Sequence, residues 1–364
     1  MTLEGTYGTI RNMASLHTAL CRELGIDYPI FSVGFGVGAG PELAAAVTNA
    51  GGFGVLGGDG RSREVITRDL ARTRELTAGP IGINFVIPVL EHAEAAEEDR
   101  TEMRSRIEIA VRTRVNGLVL FWGDAAPFVE SAHRYGVKVL LQIGSVAEAT
   151  AAAEAGVDVV IAQGIEAGGH VRGMTSIWEL LPAVVDAVGP MPVIASGGIG
   201  DGAGIARALE LGAQAVSLGT RFVASDEAWF HPVYKQRVVE STAADTVYSE
   251  LYDAWWPGAP HRTLRNRTFD EWEAAGRPPR GQRPGEGTVI GTRRLPSGKV
   301  HEWPRYAVGA VPPTFEGDLE RVPLLVGESC TVVNDIKPAA QIVMDLVRDA
   351  EASLTARSRG GEET

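Results

Sequence analysis

Cysteine is nearly absent: the chain has two, Cys21 and Cys330, far apart and outside any CxxC spacing. Neither a disulfide framework nor a thiolate zinc site follows from that, and the chain reads as a reduced, cytoplasmic protein. Positive charge is scarce as well. With a formal net charge of −12, the sequence lacks the basic footprint that nucleic acid or an anionic membrane demands, so neither is expected as a partner. Long apolar runs are missing, and the opening stretch "MTLEGTYGTIRNMASLHTALCRELGIDYPIF" has no basic segment leading into an apolar one. No membrane span and no secretory signal are therefore expected. The first dozen residues read as a loose extension, with Met13 as an alternative start. The histidines His17, His92, His133, His170, His231, His261 and His301 form no HxH or HExxH spacing, so no metal site is expected. A nucleophile elbow and a Ser-His-Asp arrangement are also missing.

What is present is an ordinary globular composition, 45% hydrophobic and 22% charged over 364 residues, enough for two domains or for one large domain with an insertion. Short apolar runs recur, each followed by an amphipathic, alanine-rich segment. The candidate strands are "IFSVGF" (30–35), "FGVLG" (53–57), "IGINFVI" (81–87), "GLVLFW" (117–122), "VKVLLQI" (137–143), "VDVVIAQ" (157–163), "PVIAS" (192–196) and "AVSLG" (215–219). Between them lie helical patterns. One is opened by Pro41 at a first-turn position and closed by Gly51-Gly52, and another by Ser145 with Glu148 three residues on. Such alternation means a parallel sheet covered by helices, an α/β fold. Eight units close most economically as a (β/α)8 barrel, with a doubly wound sheet as the alternative.

After residue 222 the alternation stops. Residues 223–325 contain Trp229, Trp255, Trp256, Trp272 and Trp303, many prolines and an arginine-rich stretch, and the helical pattern resumes at "VVNDIKPAAQIVMDLVRDA" near Asn334 or Asp335. The expected organisation is a barrel of residues 1–222 and 326–354, an inserted subdomain of 223–325 between the eighth strand and the last helix that covers the catalytic rim, and a disordered tail, 355–364. The basic excess of the insertion reads either as a solvated face with internal ion pairs or as a hold on a phosphate-bearing ligand.

Barrel chemistry sits where strands end and lead into helices. "VVIAQGIEAGGHVRG" (159–173) brings a strand to the flexible pair Gly168-Gly169 and then to His170. An imidazole on such a loop is a candidate base or donor near neutral pH, with Glu166 either orienting it or capping the loop. The last two such loops carry Gly197-Gly198 and, within "AVSLGTRF", Ser217, Leu218, Gly219 and Thr220. They suit a phosphate held by main-chain N–H groups, or simply tight turns. Asn84, Gln142 and Gln163 end three strands. An amide side chain offers both donor and acceptor to a ligand edge, or ties a loop backbone.

The stretches "AQGIEAGGHVRG", "PVIASGGIGDGAGIARALELGAQAVSLGTRF", "PELAAAVTNAGGFGVLGG", "GINF" and "VNDIKPAAQIV" together resemble the nitronate monooxygenase family, formerly the 2-nitropropane dioxygenases, which are FMN-dependent TIM-barrel enzymes. The resemblance implies FMN across the barrel mouth, its phosphate on Gly198 and Ser217 to Thr220 and its ring beside Asn84, Gln163 and Gly168. It also implies a catalytic role for His170 as base or electrostatic stabiliser in the oxidation of alkyl nitronates, or nitroalkanes, by O2 to a carbonyl compound and nitrite. Many relatives carry Ala-Pro-Met after the first strand where this chain has "SVGFG". Similar barrels reduce quinones or enoyl thioesters with NAD(P)H, and Arg262, Arg265, Arg267, Arg293 and Arg294 would suit the phosphates of such a partner.

Overall fold

The computed structural model describes residues 16–91 and 95–360. The expected N-terminal extension, Met13, His92 and the end of the tail, 361–364, lie outside them. Eight parallel strands form one sheet: β1 (Ile30–Ser32), β2 (Gly54–Gly57), β3 (Ile81–Val86), β4 (Gly117–Phe121), β5 (Lys138–Ile143), β6 (Val159–Gln163), and, beyond the two-residue strand β7 (Gly169–His170), β8 (Val193–Ser196) and β9 (Ala215–Leu218). β1 pairs with β9 at one end of this order and β2 lies at the other. Backbone bonds from Ser32 N–H to the Phe53 carbonyl, 3.1 Å, and from Phe53 N–H to the Ile30 carbonyl, 2.8 Å, join the two ends. The sheet is thus a TIM barrel.

Each of the eight barrel strands sits within its expected run, because strands covered on both faces need unbroken apolar sequence. Inward-facing Phe31, Val55, Val119, Leu140, Ile161 and Ile194 fill the barrel together with Leu20, Cys21 and Leu24 from the short helix Ala19–Leu24, which plugs it. Cys21 is therefore a core residue. The helix Pro41–Asn49 has its proline at the first turn. Ser145 caps Val146–Glu154 by accepting from Glu148 N–H, while the Glu148 carboxylate reaches one residue further back than a capping box requires, to Gly144 N–H at 2.8 Å.

Two expectations about the C-terminal part need correction. The last helix runs Ala339–Gly360, starting after Pro338, because Lys337 is held extended in a bridge to Ser225 and a residue before proline is kept out of the helical region. It also continues through residues 355–360, expected to be disordered.

Residues 223–325 fold as the helices Pro232–Glu240 and Arg267–Ala274 and the strands β10 (Thr246–Ser249), β11 (His261–Leu264), β12 (Val289–Arg294) and β13 (Val300–Pro304). They own a small core of Leu251, Tyr252, Phe269, Tyr306 and Val308. Phe230, Tyr234, Trp303 and Phe315 belong instead to the main core that wraps the barrel. β11 pairs antiparallel with β7, His261 opposite His170 and Arg262 opposite Gly169. The segment is thereby joined to the histidine loop by main-chain hydrogen bonds.

Candidate functional site

A cavity of about 800 Å³ opens at the C-terminal ends of the barrel strands, within the range of small-molecule and cofactor sites. Its wall includes Asn84, Gln142, Gln163, Gly168, Gly169, His170, Gly197, Gly198, Ser217, Gly219 and Thr220. Of His170 and the residues expected to bind the cofactor, Leu218 alone is not in this wall. Its side chain packs into the main core, since strand alternation turns it away from the mouth.

Two glycines show why the loops have this composition. Gly198 has φ +70°, and a Cβ there would lie 3.0 Å from the Glu166 Cβ. At Gly168 a Cβ would lie 2.3 Å from the Gly327 nitrogen, because the chain entering the C-terminal segment crosses directly over the histidine loop. The N–H groups of Gly197, Gly198, Gly219 and Thr220 donate to no protein acceptor among the described residues. Unpaired main-chain donors around a cavity require water or a ligand, and four converging on it suit an oxyanion. The Thr220 hydroxyl accepts from Gly327 N–H at 3.0 Å, which leaves its proton free to donate.

The three amides differ. Gln163 is engaged by its own loop: its Nε2 donates to the His170 carbonyl, 2.9 Å, and its Oε1 accepts from Arg172 N–H, 2.9 Å. Its role is to hold the loop carrying His170. Asn84 donates to the Val119 carbonyl at 3.3 Å and keeps its oxygen free. Gln142 is free of protein partners and half-buried in the wall.

His170 lies against the Trp256 ring, centroids 4.2 Å apart, with Trp122 edge-on at 6.3 Å and His261 at 5.9 Å. Its Nε2 is buried without a hydrogen-bond partner. Burial, with a lesser contribution from His261, pushes its pKa down to about 3, so the free protein carries a neutral imidazole at physiological pH. That corrects the expectation of a ring poised near neutrality. Glu166 does not orient it. That carboxylate accepts from Ser176 Oγ and from Ile177 N–H, which caps the helix Ile177–Val188. His261 is saturated, its Nε2 accepting from Tyr252 N–H at 3.2 Å and its Nδ1 lying 2.9 Å from the Ala259 carbonyl, so it is the neutral Nδ1–H tautomer.

Several residues of the site were not found from the sequence. Asp59, on the loop after β2, lines the cavity and accepts from Val86 N–H at 3.1 Å. Burial pushes its carboxyl up to about 6, against the pull of that bond and of Arg106 and Arg61. Arg61 is buried and clamps the first-strand loop, donating to the carbonyls of Gly36 (2.8 Å), Gly57, Val37 and Ala39 while Asp69 holds its Nε at 2.9 Å. The loop "SVGFGVG" thus keeps its shape through a side chain some 25 positions away. Trp122 occupies φ +62°, a strained conformation for a bulky residue that places it beside His170. "GGDG" and an Arg-x-x-x-x-x-x-x-Asp spacing are too common to announce any of these roles.

The basic residues of 223–325 separate clearly. Arg262 pairs with Glu328, Arg265 with Asp270 and Glu273, and Arg267 with Asp318, while Arg294 donates to the Gly298 carbonyl. For the first three the internal-pair reading holds, and Arg294 is exposed at the solvated face. Arg293 alone among the five lines the cavity.

Fold and mouth define a (β/α)8-barrel enzyme with a cavity lined by the glycine loops after its last two strands. The chain matches the nitronate monooxygenase family over residues 17–349 and belongs to it, which makes it an oxidoreductase. Among its relatives are a 5-hydroxy-7a-methyl-1-oxo-octahydro-1H-indene-4-carboxyl-CoA dehydrogenase of Rhodococcus jostii, 33% identical and covering 72% of this chain and 70% of that one, and a probable nitronate monooxygenase of Staphylococcus saprophyticus, 31% identical over 69% of this chain and 79% of that one. Similar solved structures are FabK from Thermotoga maritima, TM-score 0.75, 28% identical, covering 95% and 99% of the two chains, and a nitroalkane oxidase from Streptomyces ansochromogenes, TM-score 0.72, 25% identical, covering 93% and 99%. No helix among the described residues is long and apolar enough to cross a membrane.

Proposed function

We propose that this protein binds FMN in the barrel mouth and oxidises alkyl nitronates with O2. In net balance two R–CH=NO2⁻ and one O2 yield two R–CHO and two NO2⁻, each nitronate carbon gaining one oxygen atom. The observation that carries the reading is the coincidence, in one cavity, of unpaired glycine-loop donors with a neutral, desolvated His170. The residues present fit the cofactor: Gly197, Gly198, Gly219 and Thr220 would hold its phosphate, and Asn84, Gln142 and Gly168 would border its ring. FMN, when bound, supplies the electron-transfer and O2 chemistry.

The chain's own contribution is positioning and desolvation. Trp122 and Trp256 hold the His170 ring, and Gln163 fixes the loop that carries it. A neutral imidazole with a pKa of about 3 is a poor base for a neutral nitroalkane but serves as a hydrogen-bonding partner of an anion already formed. Nitronates, rather than their parent nitroalkanes, are therefore the substrates this site favours. Residues 223–325 act in this proposal as the substrate-covering subdomain, since Trp255, Trp256, Pro257 and Arg293 complete the cavity wall.

A second reading, a reductase that takes electrons from NAD(P)H and passes them to a quinone or an enoyl thioester, draws on the cavity's volume of about 800 Å³, more than a short nitronate occupies. Anaerobic mixing separates the two. Ethylnitronate should bleach the flavin of the purified protein within the mixing period while NADH and NADPH leave it oxidised; rapid bleaching by either nucleotide, with none by nitronate, would replace the first reading by the second.

A further inference from the structure

Arg293 is an anomaly among the arginines of residues 223–325. Arg262, Arg283 and Arg305, whose side chains are buried, each meet a carboxylate, Glu328 at 2.9 Å, Asp253 at 2.7 Å and Glu271 at 2.6 Å, whereas Arg293 is half-buried. Arg293 meets none among the described residues. Among the described residues one Nη1 bond to the Ala310 carbonyl, 2.9 Å, is its side chain's sole hydrogen bond, and its Nε is buried without a partner. Its Cζ lies over the rings of Trp255, at 4.9 Å, and Trp303, at 4.6 Å. Indole faces hold a guanidinium in place without neutralising it, and among the described residues its Nη2 group has no hydrogen-bond partner.

A desolvated, unpaired cation is costly, and burial pushes the Arg293 pKa down to about 10. The surrounding wall offers no compensation. Leu295, Gly309 and Ala310 are apolar neighbours in the cavity, and its other charged side chains, Asp59 and Arg106, act on each other.

We propose that Arg293 is a specificity-determining residue and that the substrate or co-substrate carries a carboxylate or phosphate, remote from its reacting carbon, which the Arg293 guanidinium binds. The proposal rests on the nitronate reading only for the choice of reactive probe.

The test uses the holoenzyme with two nitronates of similar length, those of 4-nitrobutyrate, which bears a carboxylate, and of 1-nitropentane, which does not. Binding is followed independently of turnover by quenching of tryptophan fluorescence, with NADPH as the phosphate-bearing probe. Arg293→Met should raise the ratio of KM for 4-nitrobutyrate nitronate to KM for 1-nitropentane nitronate at least tenfold, with the change in KM rather than kcat, and weaken 4-nitrobutyrate quenching in parallel. If neither nitronate turns over, the proposed activity fails, yet tenfold weaker quenching by 4-nitrobutyrate or by NADPH in the variant still establishes the subsite; loss for NADPH alone assigns it to a phosphate. Equal changes for charged and uncharged probes, or no change, overturn the proposal and leave Arg293 a packing element. Should the Met variant fail to fold, Arg293→Lys keeps the charge without the fork, and the same KM ratio should rise several-fold.

Discussion

Under the proposed function, the barrel mouth and its cover, residues 223–325, would recognise ligand by different means. The mouth works through main chain: glycine loops, free N–H groups and amides whose position follows from where strands end. The cover works through side chains, Arg293, Trp255 and Trp256, held by ion pairs and aromatic stacks that join residues distant in sequence. A main-chain cradle tolerates almost any sequence that keeps its glycines, whereas a side-chain wall changes with each substitution. The mouth is accordingly suited to a constant ligand, the cover to a variable one.

The largest effect should come from filling the cradle. Gly198→Val forces a β-branched residue into φ +70° with its Cβ 3.0 Å from Glu166. The left-handed conformation alone costs about 1–2 kcal/mol, and the branched side chain presses on Glu166 and displaces the loop whose N–H groups face the cavity. Flavin per protein, read from the absorbance of the purified variant, should fall below about a tenth of wild type; full occupancy would show that the phosphate sits elsewhere and that the cradle is a tight turn.

The cover is tested by Arg283→Met. Arg283 is buried, reaches Asp253 at 2.7 Å and the Leu251 carbonyl at 2.8 Å, and lies over Tyr306 at 4.2 Å. Removing it leaves Asp253 and Glu286 facing each other, so a loss of about 3 kcal/mol is expected. Five of the seven tryptophans lie in 223–325, so their fluorescence reports the cover, and far-ultraviolet dichroism reports mainly the barrel. Both urea transitions should move together, because Trp303 and Phe315 sit in the barrel's core and β11 is paired to β7. Separate transitions would make the cover an independent unit and sharpen the contrast further.

An intermediate effect belongs to Asp59 at the edge of the mouth. The folded protein retains its proton up to about pH 6, against 3.8 for the ordinary carboxyl. Between those values the native state binds more protons than the unfolded one, so stability falls as pH rises through this window, by up to about 3 kcal/mol. In Asp59→Asn that decline should vanish, while the opposite dependence from carboxylates held low by Lys337 and the arginines, such as Asp345 and Glu271, stays common to both proteins. Unfolding free energies at pH 4.5 and 7.5 decide it: identical slopes in the two proteins mean that Asp59 ionises normally.

The same division governs what could be read from the sequence. Strands β1 to β6, β8 and β9 were legible because a sheet buried on both faces writes itself as apolar runs, and the glycine loops because they follow those runs directly. β7 was not, being two residues whose partner lies about 90 positions on. For Gln163 the loop-tying alternative holds, and spacing left it open against a ligand contact because it names a donor and acceptor without saying which group they meet. Desolvation of His170 and Asp59 comes from neighbours contributed by remote segments, so a composition-based reading leaves both at ordinary acidity. In the cover, five arginines looked alike, and only the packing distinguished Arg293.

The smallest predicted effect tests that distinction directly. Arg293 and Arg294 are adjacent on β12, and alternation along a strand sends their side chains to opposite faces. One lines the cavity; the other is exposed and holds only the Gly298 carbonyl, at 3.2 Å, across its own hairpin. An exposed contact of this kind contributes less than about 0.5 kcal/mol. Arg294→Ala should therefore leave the urea midpoint, flavin content and the KM ratio between 4-nitrobutyrate and 1-nitropentane nitronates within experimental scatter of wild type. A shift in that ratio comparable to the one expected for Arg293→Met would mean that the whole basic strand attracts anions through its summed field, and recognition by the cover would then depend on net charge rather than on one placed guanidinium.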